Sequence, residues 1–338
     1  MSVEALMRAP IALLPVLLFL AGLVQLDGYK LVRMRMMFLL LVTGALAAGA
    51  SFVVNNLVFA NFHGSFVTYS RYVSPWIEEP LKAALLVFLI RTRRVGLPVD
   101  AGIAGFAIGT GFAVVENLYY LAARPHTVLA VQVIRGFGTA IMHGGTAAIL
   151  AMISNTLYER RPSGGLQLLL PGLFAAVALH TGYNYLLVRP ALATLATLLV
   201  LPFVIYLVFD HSERILRKWI EVDLDSDVRR LEAISTGTFL DTPAGRYLRA
   251  LRDRFKGEQL ADMLCYVRVH GELAVRAKGV LLLREAGMPD LPIDAETGAR
   301  LTELAQLERA IGKTGMLALR PLMMATGKEI WQLTLLRQ

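Results

Sequence analysis

Two adjacent carboxylates and an amine stand inside one long apolar stretch of this sequence. Glu78, Glu79 and Lys82 lie in a hydrophobic run that covers residues 65–90. If the run is helical, spacings of three and four residues place these side chains on one side of the helix. A charge at the centre of a bilayer costs about 2.5–3.5 kcal/mol on insertion scales, so charges here indicate a function. Pro80 lacks a backbone N–H, and we expect the helix to bend there.

Further polar side chains lie in later apolar runs. Glu116 follows a glycine-rich stretch, His143 precedes two glycines, and His180 and Asn184 are four residues apart and share a helix face. Each one alone is explained by an ion pair or a hydrogen bond inside the protein, and Arg135 is a candidate partner for Glu116. Two histidines and three glutamates on different helices together favour a functional site.

The chemistry that fits these residues is hydrolysis of a peptide bond. This reaction needs an activated water, a proton donor for the leaving amine and donors for the oxyanion. A catalytic zinc ion takes three protein ligands and leaves a position for water, whose pKa it lowers to about 7. The predicted zinc ligands are His143, His180 and Glu116, and Glu78 or Glu79 is the predicted base.

Lys82 and Asn184 are the remaining predicted members of the site. Lys82 would neutralise one of the two adjacent carboxylates, so that the pair need not hold two negative charges in a low dielectric. Asn184 would donate to the oxyanion or orient His180. A metal-free version is equally consistent, with a glutamate activating the water and the histidines and Asn184 binding the oxyanion. The sequence does not choose between the two versions.

Composition separates the chain into two parts. The 338 residues are 56% hydrophobic and the mean hydropathy is +0.55, which is too apolar for an ordinary soluble domain. Residues 1–209 carry 14 Lys and Arg against 7 Asp and Glu, whereas residues 210–338 carry 20 against 19. The basic excess therefore belongs to the apolar part and indicates membrane topology, not nucleic-acid binding. The single cysteine, Cys265, excludes an intrachain disulfide and a cysteine metal cluster.

Seven apolar runs are long enough to cross roughly 30 Å of hydrocarbon. We interpret the first as an uncleaved helix and not as a signal peptide. Every second connecting segment is basic, which predicts an external N-terminus and a cytoplasmic C-terminus. The predicted spans are 9–26, 36–60, 66–90, 99–121, 127–157, 166–188 and 191–209. The basic residues of the alternate segments are Lys30, Arg33, Arg35, Arg91, Arg93, Arg94, Arg160, Arg161, Arg214, Arg217 and Lys218.

The expected fold class is all-α: a polytopic membrane helical bundle of about seven transmembrane helices, followed by a C-terminal helical cytoplasmic domain. The glycines of the fourth span are expected to allow close helix packing, and Asn55 and Asn56 to form interhelical hydrogen bonds. A helical leucine and isoleucine stripe at Leu301, Leu304, Leu307 and Ile311 predicts the core of the domain in residues 210–338. A cytoplasmic partner or self-association through this part is the alternative.

The site motifs resemble those of a known family. Glu78-Glu79-x-x-Lys82, Phe112-x-x-x-Glu116, His143 and His180-x-x-x-Asn184 occur in this order on successive predicted membrane helices. This arrangement is similar to the PrsW family of bacterial intramembrane proteases, which are related to the CPBP group that includes the CAAX-processing enzymes. The likeness covers residues 66–188, about a third of the chain, and residues 210–338 have no counterpart in it.

The resemblance implies proteolysis of membrane-anchored proteins, such as anti-sigma factors, inside the bacterial cytoplasmic membrane. It implies that Glu78, Glu79, His143 and His180 are essential, with Glu116, Lys82 and Asn184 in support. The sequence departs from the CPBP pattern at Lys82, where an arginine one residue later is expected, and at Glu116, where a histidine is expected. These departures favour the PrsW side and leave the use of a metal open.

Two other classes of function are compatible with buried charges in a membrane. A proton- or ion-coupled transporter also uses acids, lysine and histidine as relays, although the sequence lacks the paired interrupted helices of an inverted repeat. A non-catalytic membrane scaffold would keep the fold and signal through residues 210–338. Loss of cleavage on removing a site side chain would distinguish the protease from both.

Overall fold

The computed structural model describes residues 3–29, 32–92, 94–124, 126–161, 164–186, 189–288, 294–323 and 327–336. Lys30 and Arg93 of the predicted charge pattern lie outside these residues, as does the end of the predicted sixth span at 187–188. The described residues contain helices and no strands. The α-helices are α1 (Val3–Leu26), α2 (Met34–Phe59), α3 (Phe66–Tyr72), α4 (Ser74–Arg91), α5 (Pro98–Ala123), α6 (Leu129–Ile134), α7 (Ala140–Arg160), α8 (Leu170–Leu186), α9 (Pro190–Ser235), α10 (Pro243–Ala250), α11 (Gly257–Glu285), α12 (Ala295–Met323) and α13 (Gly327–Leu335).

Six helices of the described chain are long and apolar enough to cross a membrane. They coincide with six of the seven predicted spans, so the predicted all-α polytopic membrane fold is confirmed. The predicted seventh span forms the first part of the 46-residue helix α9. The six segments are Met7–Leu26, Met34–Phe59, Pro98–Ala123, Leu129–Arg160, Leu166–Tyr185 and Pro190–Ser235.

The prediction of one continuous helix over residues 66–90 was wrong. This segment forms the short helix α3 and the charged helix α4, which meet at Val73. Pro75 lies in the first turn of α4 and has no N–H with which to continue the hydrogen bonding of α3. Pro80 lies inside α4, so the interruption falls about one turn before the carboxylates and not at Pro80, directly after them, as predicted.

Helix α5 forms the centre of the first compact unit, Met1–Glu213, and packs against α1, α2 and α7. Its predicted packing glycines are confirmed. A Cβ atom on Gly109 would overlap the backbone carbonyl of His143, and one on Gly105 would overlap that of Ala147. The helix backbones are therefore in direct contact, which brings Glu116 on α5 beside His143 on α7.

Replacing Gly109 with alanine should destabilise the protein, because the new methyl group would force α7 away from α5. Overpacking of this kind typically costs about 1–3 kcal/mol. Gly49→Ala on α2 is the matched control, since nothing lies within 4 Å of the Cβ it adds. Thermal unfolding in detergent is the measurement. Equal stability of the two variants would contradict the close α5–α7 packing.

The second compact unit, Arg214–Gln338, has its own apolar core. Leu304 and Ile311 of the predicted stripe are buried in it, and Leu301 and Leu307 pack against it, so the interpretation of the stripe as core is confirmed. A buried Lys278 donates to Asp227 at 2.6 Å and its ammonium lies 5.1 Å from the centre of the Trp219 ring. This pair joins α9 to α11.

His270 on α11 gives the second unit a pH-dependent stability. Burial lowers the pKa of His270 to about 4, with Arg230 and Lys278 acting in the same direction and Asp227 opposing them. An unfolded histidine binds a proton near pH 6.5, so stability should fall as the pH drops from about 6.5 to 4, by about 2–3 kcal/mol. Unfolding measured by circular dichroism across this range should show the loss in the wild type and in the exposed control His211→Asn. A slope that persists in His270→Asn would contradict the assignment.

Candidate active site

Glu79 on α4 is the fully buried centre of a polar cluster formed by α4, α5, α7 and α8. Its Oε1 atom accepts from Lys82 Nζ at 2.8 Å, from His180 Nδ1 at 2.7 Å and from Thr146 Oγ1 at 3.3 Å. A buried carboxylate needs such partners, because desolvation of an unpaired charge is costly. The prediction that Lys82 neutralises one of the two adjacent carboxylates is met at Glu79. Thr146 was not predicted as a member of the site.

His143 is engaged at both ring nitrogens. Its Nδ1 lies 2.9 Å from Lys82 Nζ and its Nε2 lies 2.8 Å from Glu116 Oε2. An ammonium group has donors and no acceptor, so His143 Nδ1 accepts from Lys82 and the protonated Nε2 donates to Glu116. The Lys82 ammonium also lies 4.4 Å from the centre of the Phe112 ring.

Glu116 is fixed from its other side by Arg135, the partner suggested by the sequence. Arg135 Nη2 lies 3.2 Å from Glu116 Oε1, and Arg135 Nε donates to Asn117 Oδ1 at 3.1 Å. The guanidinium also lies 3.6 Å from the centre of the Tyr120 ring. Arg135 begins a π-helical turn, Arg135–Thr139, that interrupts the predicted fifth span. Such turns are frequent at functional sites.

Glu78 differs from Glu79 in its exposure. The Glu78 side chain is 13% exposed and that of Glu79 is 0% exposed. Glu78 Oε1 accepts from the Ser74 hydroxyl and from Asn55 Nδ2 at 3.4 Å, which confirms an interhelical hydrogen bond for Asn55. Glu78 Oε2 lies 3.8 Å from His180 Nε2, too far for a direct hydrogen bond.

Tyr69 was not predicted as a member of the site, and Asn184 has a different partner from the predicted one. Tyr69 on α3 donates to Asn55 Oδ1 at 2.8 Å and thus supports the residue that holds Glu78. Asn184 donates to the Ser70 carbonyl at 2.9 Å, and within the described chain no hydrogen bond joins it to His180. Asn184 therefore fastens α8 to α3.

Comparison with known proteins decides the family. The family model for the PrsW family intramembrane metalloproteases matches residues 33–209, just over half of the 338-residue chain. The chain belongs to the PrsW family. The match contains the whole cluster from Asn55 to Asn184. No curated protein and no solved structure matches the chain.

PrsW membership confirms the resemblance and identifies a multi-pass intramembrane protease. The match extends from Arg33 into the first part of α9, so it adds α2 and the start of α9 to the predicted likeness over residues 66–188. Helix α1 and residues 210–338 lie outside the match.

The PrsW cluster offers donor groups that suit a metal ion. Atoms of Glu78, His143 and His180 lie within 4.8 Å of one another. Two imidazoles and one carboxylate form a common donor set of catalytic zinc. The hydrogen bond from His180 Nδ1 to Glu79 would orient the His180 ring, as carboxylates commonly do for histidines that bind a metal. Glu79 Oε2 is buried beside them without a hydrogen-bond partner among the described residues. The carboxylate in this group is Glu78, whereas the predicted ligand Glu116 contacts the proton-bearing nitrogen of His143.

Proposed function

We propose that this PrsW family member is an intramembrane endopeptidase in which Glu78 activates a water held between Glu78 and His180. The observation that carries the proposal is the 3.8 Å separation of Glu78 Oε2 and His180 Nε2. A single water can lie within hydrogen-bond distance of two polar atoms that are this far apart. Glu78 is also the more exposed of the two adjacent carboxylates, so a water can reach it.

The remaining contacts assign roles to the neighbours. His180 Nδ1–H donates to Glu79, so in the neutral imidazole Nε2 is the acceptor and receives a hydrogen bond from the same water. With one hydrogen atom directed to Glu78 and the other to His180, a lone pair of the water is free to attack a carbonyl carbon. Glu78 takes the proton and then gives it to the leaving amine. Glu79 is a positioning residue and not the base.

The mechanism with Glu78 as base is the metal-free version; in the metal-bound version zinc is the proposed metal, held by Glu78, His143 and His180, and Glu78 is then a ligand and not the base. When bound, zinc would lower the pKa of a coordinated water and polarise the substrate carbonyl. Metal content decides between this version and the metal-free glutamate version. One zinc per chain in wild type purified without chelators, lost in His143→Ala and His180→Ala, would support the metalloprotease. Zinc-free protein that still cleaves would favour the metal-free protease.

The proposed substrates are membrane-anchored proteins with a single span, including anti-sigma-like proteins, because three of the four helices of the site, α5, α7 and α8, belong to segments long and apolar enough to cross a membrane. The proposed location is the bacterial cytoplasmic membrane, with the N-terminus outside and residues 210–338 in the cytoplasm, where they are free to bind a partner or a second copy.

The test is cleavage in proteoliposomes. Wild-type protein is reconstituted with a panel of single-span reporters that carry a tag at each end, and the fragments are separated by mass. Two fragments that together account for one reporter, cut within or next to its span, would support the proposal. An intact panel incubated with folded protein, with and without zinc, would favour the scaffold.

A further inference from the structure

A protein cation already occupies the centre of the cluster. Lys82 is 0% exposed, and its ammonium contacts both Glu79 Oε1 at 2.8 Å and His143 Nδ1 at 2.9 Å. A buried lysine next to an imidazole nitrogen, and not only next to a carboxylate, is more than a counter-charge. It fixes which nitrogen of His143 holds a proton.

This contact blocks His143 as a metal ligand at either nitrogen. A metal ion at Nδ1 must displace the Lys82 ammonium, because both use the same lone pair. A metal ion at Nε2 requires the His143 proton to move to Nδ1, where it would face the ammonium, which has no acceptor. By contrast, neutral His180 keeps Nε2 free, because its proton is on Nδ1 and donates to Glu79.

We propose that Lys82 is the resident cation of the site and that it competes with a divalent metal ion for His143. The proposal deepens the zinc version of the proposed function and rests on it. In the lysine-bound form the site holds a metal through two side chains at most. In the metal-bound form Lys82 has left His143, and the third ligand is available.

The second carboxylate oxygen of Glu79 can accept a hydrogen bond from the displaced Lys82 ammonium. Glu79 Oε2 is buried and lacks a hydrogen-bond partner among the described residues. Lys82 therefore remains paired with Glu79 when it leaves His143, and the buried charge stays compensated. The exchange requires a side-chain movement and no change in the net charge contributed by the protein.

The test measures how tightly the full-length protein in detergent binds Zn²⁺, with no substrate present. The informative variant is Lys82→Met combined with Glu79→Gln, because removing one positive and one negative charge leaves the net charge unchanged. The amide carbonyl introduced by Glu79→Gln can still accept from His180 Nδ1. Glu79→Gln alone is the matched control, since it retains Lys82. Equilibrium dialysis followed by mass spectrometry gives the dissociation constants.

The double variant should bind Zn²⁺ at least tenfold more tightly than both the wild type and Glu79→Gln. An affinity equal to or weaker than that of the wild type would overturn the competition. An equal gain in Glu79→Gln would also overturn it, because Lys82 is present there. These outcomes are independent of cleavage, so the competition can fail while the reporter assay still supports the protease.

Wild-type protein provides a second measurement in case the double variant does not fold. Nitrogen NMR of ¹⁵N-histidine-labelled protein distinguishes protonated from unprotonated ring nitrogens, and the signals of His143 are identified by their loss in His143→Gln. In metal-free protein His143 should be unprotonated at Nδ1 and protonated at Nε2. A proton on Nδ1 would overturn the proposal.

Discussion

Replacement of Glu78 by glutamine should lower the rate of reporter cleavage at least a hundredfold and leave the protein folded. General base catalysis typically contributes about 10²–10⁴ in rate, and glutamine cannot accept the proton of the water. The amide keeps the size of the side chain and a carbonyl oxygen for the Ser74 hydroxyl and Asn55. Initial rates in proteoliposomes, together with the unfolding temperature in detergent, are the measurements.

The control for this prediction is Glu213→Gln, which neutralises an exposed carboxylate of the same compact unit. It should cleave at the wild-type rate. Cleavage by Glu78→Gln within a few-fold of the wild type would eliminate Glu78 as the base. A loss of activity that is accompanied by unfolding would show a structural role for Glu78, which its partial exposure argues against.

Helix positions were largely predictable because bilayer-spanning length and hydrophobicity leave a strong signal in the sequence. The break at Val73 was not, since it lies in an apolar run where the composition does not change. The local cause is Pro75, but the sequence offered Pro80 as an equally reasonable place for a bend. Whether a proline lies in the first turn of a helix or in its interior depends on where the helix begins, and the sequence does not show where α4 begins.

The clustering of these polar side chains was predictable because charged side chains in apolar helices are conspicuous. The pairing of atoms was not, because each residue along a helix rotates the side chain by about 100° and moves it by about 1.5 Å. A small error in register exchanges Glu78 for Glu79 or one histidine nitrogen for the other. Asn184 is an example. Its spacing of four residues from His180 predicts a shared helix face, but its side chain donates to the Ser70 carbonyl on the separate helix α3.

A series of contacts between groups of opposite charge explains how so many ionisable side chains can be buried in residues 1–209. Arg135 pairs with Glu116, which accepts from His143, and Lys82 links His143 to Glu79. Each buried charge thus has a partner of opposite sign or a donor, as burial requires. Glu116 and Glu78, at the two ends of this series of contacts, are partly exposed, whereas the Lys82–Glu79 pair in the middle is fully buried.

The largest effect on stability is expected for Lys82→Met. Removing one partner of a buried ion pair leaves the other charge uncompensated, which typically costs about 3–5 kcal/mol. Glu79 would be that charge, since it is 0% exposed and Lys82 is its cationic partner on the same helix. Adding Glu79→Gln should recover most of the loss, because replacing both members of such a pair is often close to neutral. Unfolding of the two single variants and the double variant in detergent gives the coupling between the sites.

Arg91→Met is the control, because it removes an exposed cation from the last turn of the same helix. Exposed substitutions of this kind usually change stability by less than about 0.5 kcal/mol. If Lys82→Met proves as stable as Arg91→Met, the Lys82–Glu79 pair does not form in the folded protein. If the double variant is as unstable as Lys82→Met, the loss comes from packing around the lysine stem and not from the charge of Glu79. Recovery in the double variant would show that the buried pair, and not the lysine alone, holds the site together.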